Sequence, residues 1–334
     1  MVRTDAEAGE PSGAEGAEEP DDPAATDPAA RAAAAYPGAI RPDRRRRVDA
    51  GGVSLAVAEW GDEDAPPLLM AHGGFDFTGT LDVFAPLLAA AGWRVVSWDQ
   101  RGHGDSDHTH LYSVDADLRD AVAVLDSVSS QPIPLIGHSK GGVLLLQVCD
   151  ALPHRVSHMV NLDGVPSDRN WPDIPEHNRT RLLVGELDGW LGHRHRAGTK
   201  VRRPGTIDEL AERRRQMNPR LSMAWLRYLV TRGARLDDDG WRWKLDPVLR
   251  FGGFGPWRPE WTAGRLAAIG RPVLCVLGLE AEPLAWGTLP EDVKRFLPPQ
   301  GRLVPLDATG HFVHIEKPQV VADLVLDFLP DVRP

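Results

Sequence analysis

The chain has 334 residues, 42% hydrophobic and 26% charged, a balance that excludes a wholly disordered chain, a collagen or a bare coiled coil. Its formal charge is −10, but residues 1–40 alone hold nine acids against two arginines, so the body is only weakly acidic and offers no basic face to nucleic acid. The two cysteines, Cys149 and Cys275, lie in apolar runs and exclude a disulfide-stapled secreted module or a four-cysteine zinc site.

From the N-terminus, residues 1–44 are mostly Ala, Glu, Asp, Pro and Gly, with almost no large hydrophobe before Tyr36 and Ile40. They are expected to form a disordered tail, because nothing there offsets the entropy of ordering. The start MVRTDAEAGE is acidic and lacks the apolar stretch of a signal peptide. No run of about 18 uncharged apolar residues predicts a membrane span, so the expected location is the cytoplasm. Arg44–Arg47 reads as a solvated edge at the start of the first strand rather than a nucleic-acid patch.

Beyond the tail, strands and helices alternate. Strands are expected at Ser54–Glu59, Pro67–Ala71, Arg94–Trp98, Ile133–Ile136, Val156–Leu162, Val273–Leu277 and Leu303–Pro305. Helices are expected at Phe84–Ala91, over 115–129, around Val143–Val148, at Val293–Leu297 and at Val320–Leu329. Short apolar strands separated by helices predict an α/β fold, a mostly parallel, doubly wound sheet covered on both faces. The 108 residues from Gly164 to Arg271 break the rhythm and hold seven of the eleven tryptophans. A structureless loop of that size is improbable. Helical patches at Ile207–Met217 and Leu221–Thr231 predict a cap inserted over 164–264, packed by Trp171, Trp190, Trp225, Trp241, Trp243, Trp257 and Trp261. The sheet core would then comprise 45–163 and 265–334.

The chemistry points to Gly137-His138-Ser139-Lys140-Gly141, set between a buried strand and an apolar helix. A sharp strand-to-helix turn projects a serine hydroxyl above the sheet, and flanking glycines allow close backbone passage. A serine hydroxyl is a weak nucleophile and needs a base. His311 lies on a loop after the strand Leu303–Pro305, at the same sheet edge as Ser139, and is the candidate to take its proton and return it to the leaving group. Nearby His314 reads as a packing residue. An acid must orient the imidazole. Glu282 ranks first, on the loop after the strand Val273–Leu277; Asp163, at the end of Val156–Leu162, ranks second, and Glu280 third. The loop His72–Phe75 is expected to curl beside Ser139, where the N–H of Gly74 or Phe75, with that of Lys140, can face a developing oxyanion. His108-x-His110 and His193-x-His195 lack clustered partners for a metal.

Four motifs in order, HGGFD at 72–76, DQRGHGDS at 99–106, GHSKG at 137–141 and GHFVHIEKP at 310–318, resemble the α/β-hydrolase superfamily, in its capped, esterase-like branch. The resemblance implies Ser139 as nucleophile, His311 as base, an acid after the penultimate strand and the His72–Phe75 loop as oxyanion donor. In relatives the acid stands three residues after the glycine ending that strand; here that slot is Ala281, and Glu282 precedes Pro283. Asp99–Gly104 resembles a structural turn without catalytic role.

Serine at the elbow separates the chain from relatives with an aspartate there, the haloalkane dehalogenases and epoxide hydrolases. The expected reaction is hydrolysis of a carboxylic ester, or of a lactone or thioester, through an acyl-serine intermediate, on a small, partly apolar substrate. No metal or cofactor is required. Carbon–carbon bond hydrolysis, acyl transfer (including to peroxide) and non-catalytic ligand binding are the alternatives, since the fold alone does not choose among them. The sequence sets no oligomeric state.

Overall fold

The computed structural model describes residues 28–167, 179–197, 201–249 and 264–331. In chain order the first half contains α1 (Pro28–Ala33), β1 (Arg44–Asp49), β2 (Ser54–Trp60), β3 (Pro67–Ala71), α2 (Phe84–Ala90), β4 (Arg94–Trp98), α3 (Val114–Val128), β5 (Ile133–His138), α4 (Lys140–Ala151) and β6 (Val156–Leu162). Then follow α5 (Arg179–Ala197), α6 (Ile207–Arg215), α7 (Met223–Gly233), β7 (Ala234–Asp237), β8 (Gly240–Trp243), β9 (Val273–Gly278), α8 (Pro290–Lys294), β10 (Gly301–Leu306), α9 (Val313–Glu316) and α10 (Pro318–Phe328).

Eight strands form one sheet in the order β1-β2-β4-β3-β5-β6-β9-β10. The β1–β2 and β2–β4 pairs are antiparallel, and every pair from β4 to β10 is parallel. Parallel strands need crossovers, and the helices supply them on both faces. Alternation within each strand divides the core. Leu69, Ala71, Leu135, Met159, Cys275 and Leu277 pack on one face with Val124 and Leu125 of α3 and Leu145 and Val148 of α4. Leu68, Met70, Ile136, Val160, Leu274 and Val276 pack on the other with Phe84 and Leu88 of α2 and Val321 and Val325 of α10. A period of two carries each strand's side chains to opposite faces.

The arginine run forms edge strand β1, with Arg46 paired to the buried Glu59 of β2 at 2.7 Å. A charged edge discourages pairing with another chain's strand. The expected disordered tail over 1–44 is corrected in part. Residues 1–27 lie outside the described residues, but α1 is helical, its Ala30 is buried in a third apolar cluster, and Tyr36 meets the ring of Trp225 edge-on at 4.8 Å.

That third cluster is the interior of the segment between β6 and β9. Helix α6 starts at a full capping box, Thr206 with Glu209, and buries Ile207, Leu210 and Ala211. Helix α7 is capped by Ser222 and buries Trp225, Leu226 and Leu229. The two expected helical patches therefore fold, but a hairpin, β7–β8, accompanies them, with Trp241 buried and Trp243 packed against the cluster. Trp190 meets Tyr112 edge-on at 6.4 Å; Trp171, Trp257 and Trp261 lie outside the described residues.

Candidate active site

Strand β5 ends at His138, and helix α4 begins at Lys140, so a single residue makes the turn. That residue, Ser139, adopts φ 51° and ψ −121°, a left-handed conformation that L side chains avoid. The bend is held by its N–H, which donates to Leu162 O at 3.0 Å on the neighbouring strand. The glycines explain themselves sterically. A Cβ at Gly137 would collide with the Gly141 carbonyl, and one at Gly141 with the Ala71 carbonyl. The serine is thereby lifted to the carboxyl end of the sheet.

The loop after β10 brings His311 to it. Ser139 Oγ lies 2.9 Å from His311 Nε2, and His311 Nδ1 lies 2.6 Å from Asp163 Oδ2. A carboxylate only accepts, so Nδ1 carries the proton, and Nε2 presents its lone pair to the serine hydroxyl. All three residues are buried. Asp163 stands immediately after β6, which lies between β5 and β9, also in a left-handed conformation at φ 49°. Its N–H donates to Val276 O at 2.7 Å, and its Oδ1 accepts the Gly278 N–H at 3.1 Å.

The first-ranked acid is therefore corrected. Glu282 does reach His311, but at the backbone: its Oε2 accepts the His311 N–H at 2.6 Å. Its carboxyl is pushed above the usual range, chiefly by burial. Glu280 is farther out, its carboxylate 3.9 Å from Arg220, while its N–H donates to Thr309 O. Asp163 is the carboxylate on Nδ1 because the strand adjoining the nucleophile's own ends closest to the imidazole.

The His72–Phe75 loop lies beside the elbow, and the two N–H groups expected to face an oxyanion differ in their surroundings. The Phe75 N–H donates to His103 Nε2 at 3.2 Å and is thus already engaged. A Cβ built on Gly74 would lie 3.8 Å from Lys140 Cβ, so Gly74 faces the residue after the nucleophile. Gly74 and Lys140 are then the backbone pair suited to an oxyanion. The Lys140 side chain turns aside to Asp117 at 2.8 Å, next to a cavity of about 20 Å³ walled in part by Leu144 and Trp286.

Buried histidines brace this arrangement. His72 Nδ1 donates to Gly73 O at 2.7 Å, and its Nε2 accepts the Gln100 N–H at 3.0 Å. His138 Nε2 donates to His311 O at 3.0 Å, and His314 packs against the His138 ring at 4.5 Å. Burial depresses the pKa of His72, His103, His138 and His314, the last to about 3, so each is neutral. Asp99 accepts the Thr78 N–H at 2.7 Å, just past the His72–Phe75 loop. The packing of His314 and a structural turn at Asp99–Gly104 are expected from the sequence; the bracing contacts of His72 and His138 carry no such local signal.

Comparison with known proteins agrees with this fold. The profile of the alpha/beta hydrolase fold matches residues 66–318. The chain belongs to that family. The mouse sn-1-specific diacylglycerol lipase ABHD11 is 25% identical over 286 residues, 80% of this chain and 82% of the lipase. A serine hydrolase-like protein of Dictyostelium discoideum is 31% identical over 119 residues, but this match spans only 33% of that relative's length. Among solved structures, a thioesterase domain from the curacin biosynthetic pathway superposes with a TM-score of 0.71 at 24% identity, covering 85% of this chain and 99% of that domain. That level of identity speaks to the fold alone. The α/β class, the mostly parallel sheet and membership of a hydrolase family thus stand together. Among the described residues no helix is long and apolar enough to cross a membrane, and no group of three His, Cys, Asp or Glu side chains is placed to hold a metal ion.

Proposed function

We propose that this protein is a serine hydrolase that cleaves the ester bond of a small, partly apolar carboxylic ester, lactone or thioester. Ser139 attacks the carbonyl while His311 takes its proton. The backbone N–H groups of Gly74 and Lys140 hold the oxyanion, and Asp163 orients and stabilises the imidazolium. His311 then delivers the proton to the leaving group, and water, activated by the same imidazole, releases the acyl group.

The observation that carries this reading is the unbroken hydrogen-bonded chain Ser139–His311–Asp163 at 2.9 and 2.6 Å, all within the protein interior. Low exposure strengthens each charge interaction there. The lipase and serine hydrolase-like relatives support acyl chemistry. The test is turnover of a panel of short chromogenic esters, lactones and thioesters by wild type and by Ser139→Ala. Turnover by wild type and none by the variant is expected; equal rates would refute the reading.

A further inference from the structure

Among the described residues, four other than glycine adopt a left-handed backbone: Phe75 at φ 63°, Ser139 at 51°, Asp163 at 49° and Ala308 at 51°. Two of them belong to the hydrogen-bonded chain. The others stand on the two loops beside it, Phe75 next to the oxyanion donor Gly74 and Ala308 three residues before His311. Each such conformation is strained and persists only where the surroundings hold it. One short stretch of chain holds both.

Arg214, in the last turn of α6, donates from Nη1 to Phe75 O at 3.0 Å and from Nη2 to Asp76 Oδ1. Arg220, six residues on, donates from Nη2 to Ala308 O at 3.0 Å and from Nε to Glu316 Oε2 at 2.9 Å. Glu316 in turn accepts the Gly310 N–H through Oε1 at 2.9 Å. Each guanidinium thus grips the carbonyl of one strained residue and a carboxylate at the same time. A planar fork suits that task, and a lysine cannot reproduce it.

We propose that Arg214 and Arg220 are positioning residues. Reaching down from the segment between β6 and β9, they pin the oxyanion loop and the histidine loop in register with Ser139. This inference rests on the hydrolase reading above. Its consequence is that catalysis depends on how this segment sits on the sheet: when it lifts, both loops are free to relax, and the oxyanion donors and the imidazole lose their common alignment.

The test uses the full chain and p-nitrophenyl butyrate, with melting temperature measured alongside. Arg220 is 31% exposed, so losing its ion pair should cost little stability, and Arg220→Met is the clean variant. Asp76 is 2% exposed, so Arg214→Met is paired with Asp76→Asn to avoid stranding a buried charge. In both, kcat should fall about 10²-fold, the cost of a displacement near 1 Å, with KM within about threefold. Arg214→Lys and Arg220→Lys should fall between these variants and wild type. If wild type turns over the ester and both Met variants keep kcat within about threefold, the positioning role is refuted and the hydrolase reading survives. A loss of rate that merely follows unfolding at the assay temperature also refutes it. If wild type turns over no member of the ester, lactone and thioester panel, the hydrolase reading fails and takes this inference with it.

Discussion

Replacing Asp163 by Asn isolates what the carboxylate does for the imidazole. The side chain has two anchors: Oδ1 accepts the Gly278 N–H at 3.1 Å, and Oδ2 faces His311 Nδ1 at 2.6 Å. Asparagine is almost the same size and keeps the first contact through its carbonyl oxygen. Its NH2 group must then face Nδ1. A donor there selects the tautomer with the proton on Nε2, which donates to Ser139 Oγ and cannot take its proton. In the transition state the imidazolium also loses its carboxylate partner, and breaking a buried charged pair costs about 3–5 kcal/mol. At 1.36 kcal/mol per tenfold, that is a loss of about 10²–10⁴ in the rate of acylation. Glu282→Gln is the control, because its amide oxygen still accepts the His311 N–H, and its loss should stay within about tenfold. Stopped-flow hydrolysis of an activated ester, with folding checked by circular dichroism, gives both numbers. Asp163→Asn within about tenfold of wild type, with Glu282→Gln down by more than about 10²-fold, would refute the reasoning.

The elbow glycines, the buried histidines and the thiols give further tests. Gly141→Ala drives a methyl group into the carbonyls of Ala71 and His72; it should abolish esterase activity and lower the urea midpoint by an amount equivalent to about 1–3 kcal/mol, and a fully active, equally stable variant would contradict this packing. His72, His103, His138 and His314 have pKa values below the ordinary 6.5, so below about pH 6.5 the unfolded chain binds protons that the folded chain refuses. Stability present above that pH is lost as pH falls, by up to about 1.4 kcal/mol per pH unit for each histidine. Asp82, Asp120 and Glu282 are raised and act in the opposite sense, in windows opening upward from ordinary values near 4, so the urea midpoint should fall between pH 6.5 and 5.5. A flat or rising midpoint over that interval would be contrary evidence. Burial pushes the thiols of Cys149 and Cys275 up to about 12, so native protein should resist iodoacetamide and urea-unfolded protein should react at both. Rapid alkylation of the native chain would show the core to be more open than described.

The sheet was legible because its strands are short, largely apolar segments between helical patterns: Pro67–Ala71, Arg94–Trp98 and Val156–Leu162 match their expected bounds. Helices α6 and α7 were legible as the helical patches Ile207–Met217 and Leu221–Thr231, which overlap them. Helix α1 was not, since Ala and Pro composition reads as disorder and the contacts that hold Ala30, Ala33, Ala34 and Tyr36, such as that of Tyr36 with Trp225, are with residues far along the chain. The β7–β8 hairpin had a local signal in the polar turn Asp238-Asp239 and the Gly240 that follows it at φ 122°, hidden among helical patches. Ser139 and His311 could be named from motifs that encode their own turns. The acid could not, because Asp163 and Glu282 both satisfy the chain order, and only the lateral strand order β5-β6-β9 decides which lies nearer the imidazole. The grips of Arg214 and Arg220 join residues 139 and 88 positions apart, and no local pattern announces such a contact.

The central claim is that His311 activates the Ser139 hydroxyl. Its most direct measurement is labelling with a fluorophosphonate probe, followed by peptide mapping, in wild type, Ser139→Ala and His311→Ala. Adduct on Ser139 in wild type, none in Ser139→Ala and a greatly slowed reaction in His311→Ala are expected. A wild-type chain left unmodified at Ser139, or one labelled just as fast without the imidazole, would contradict the account.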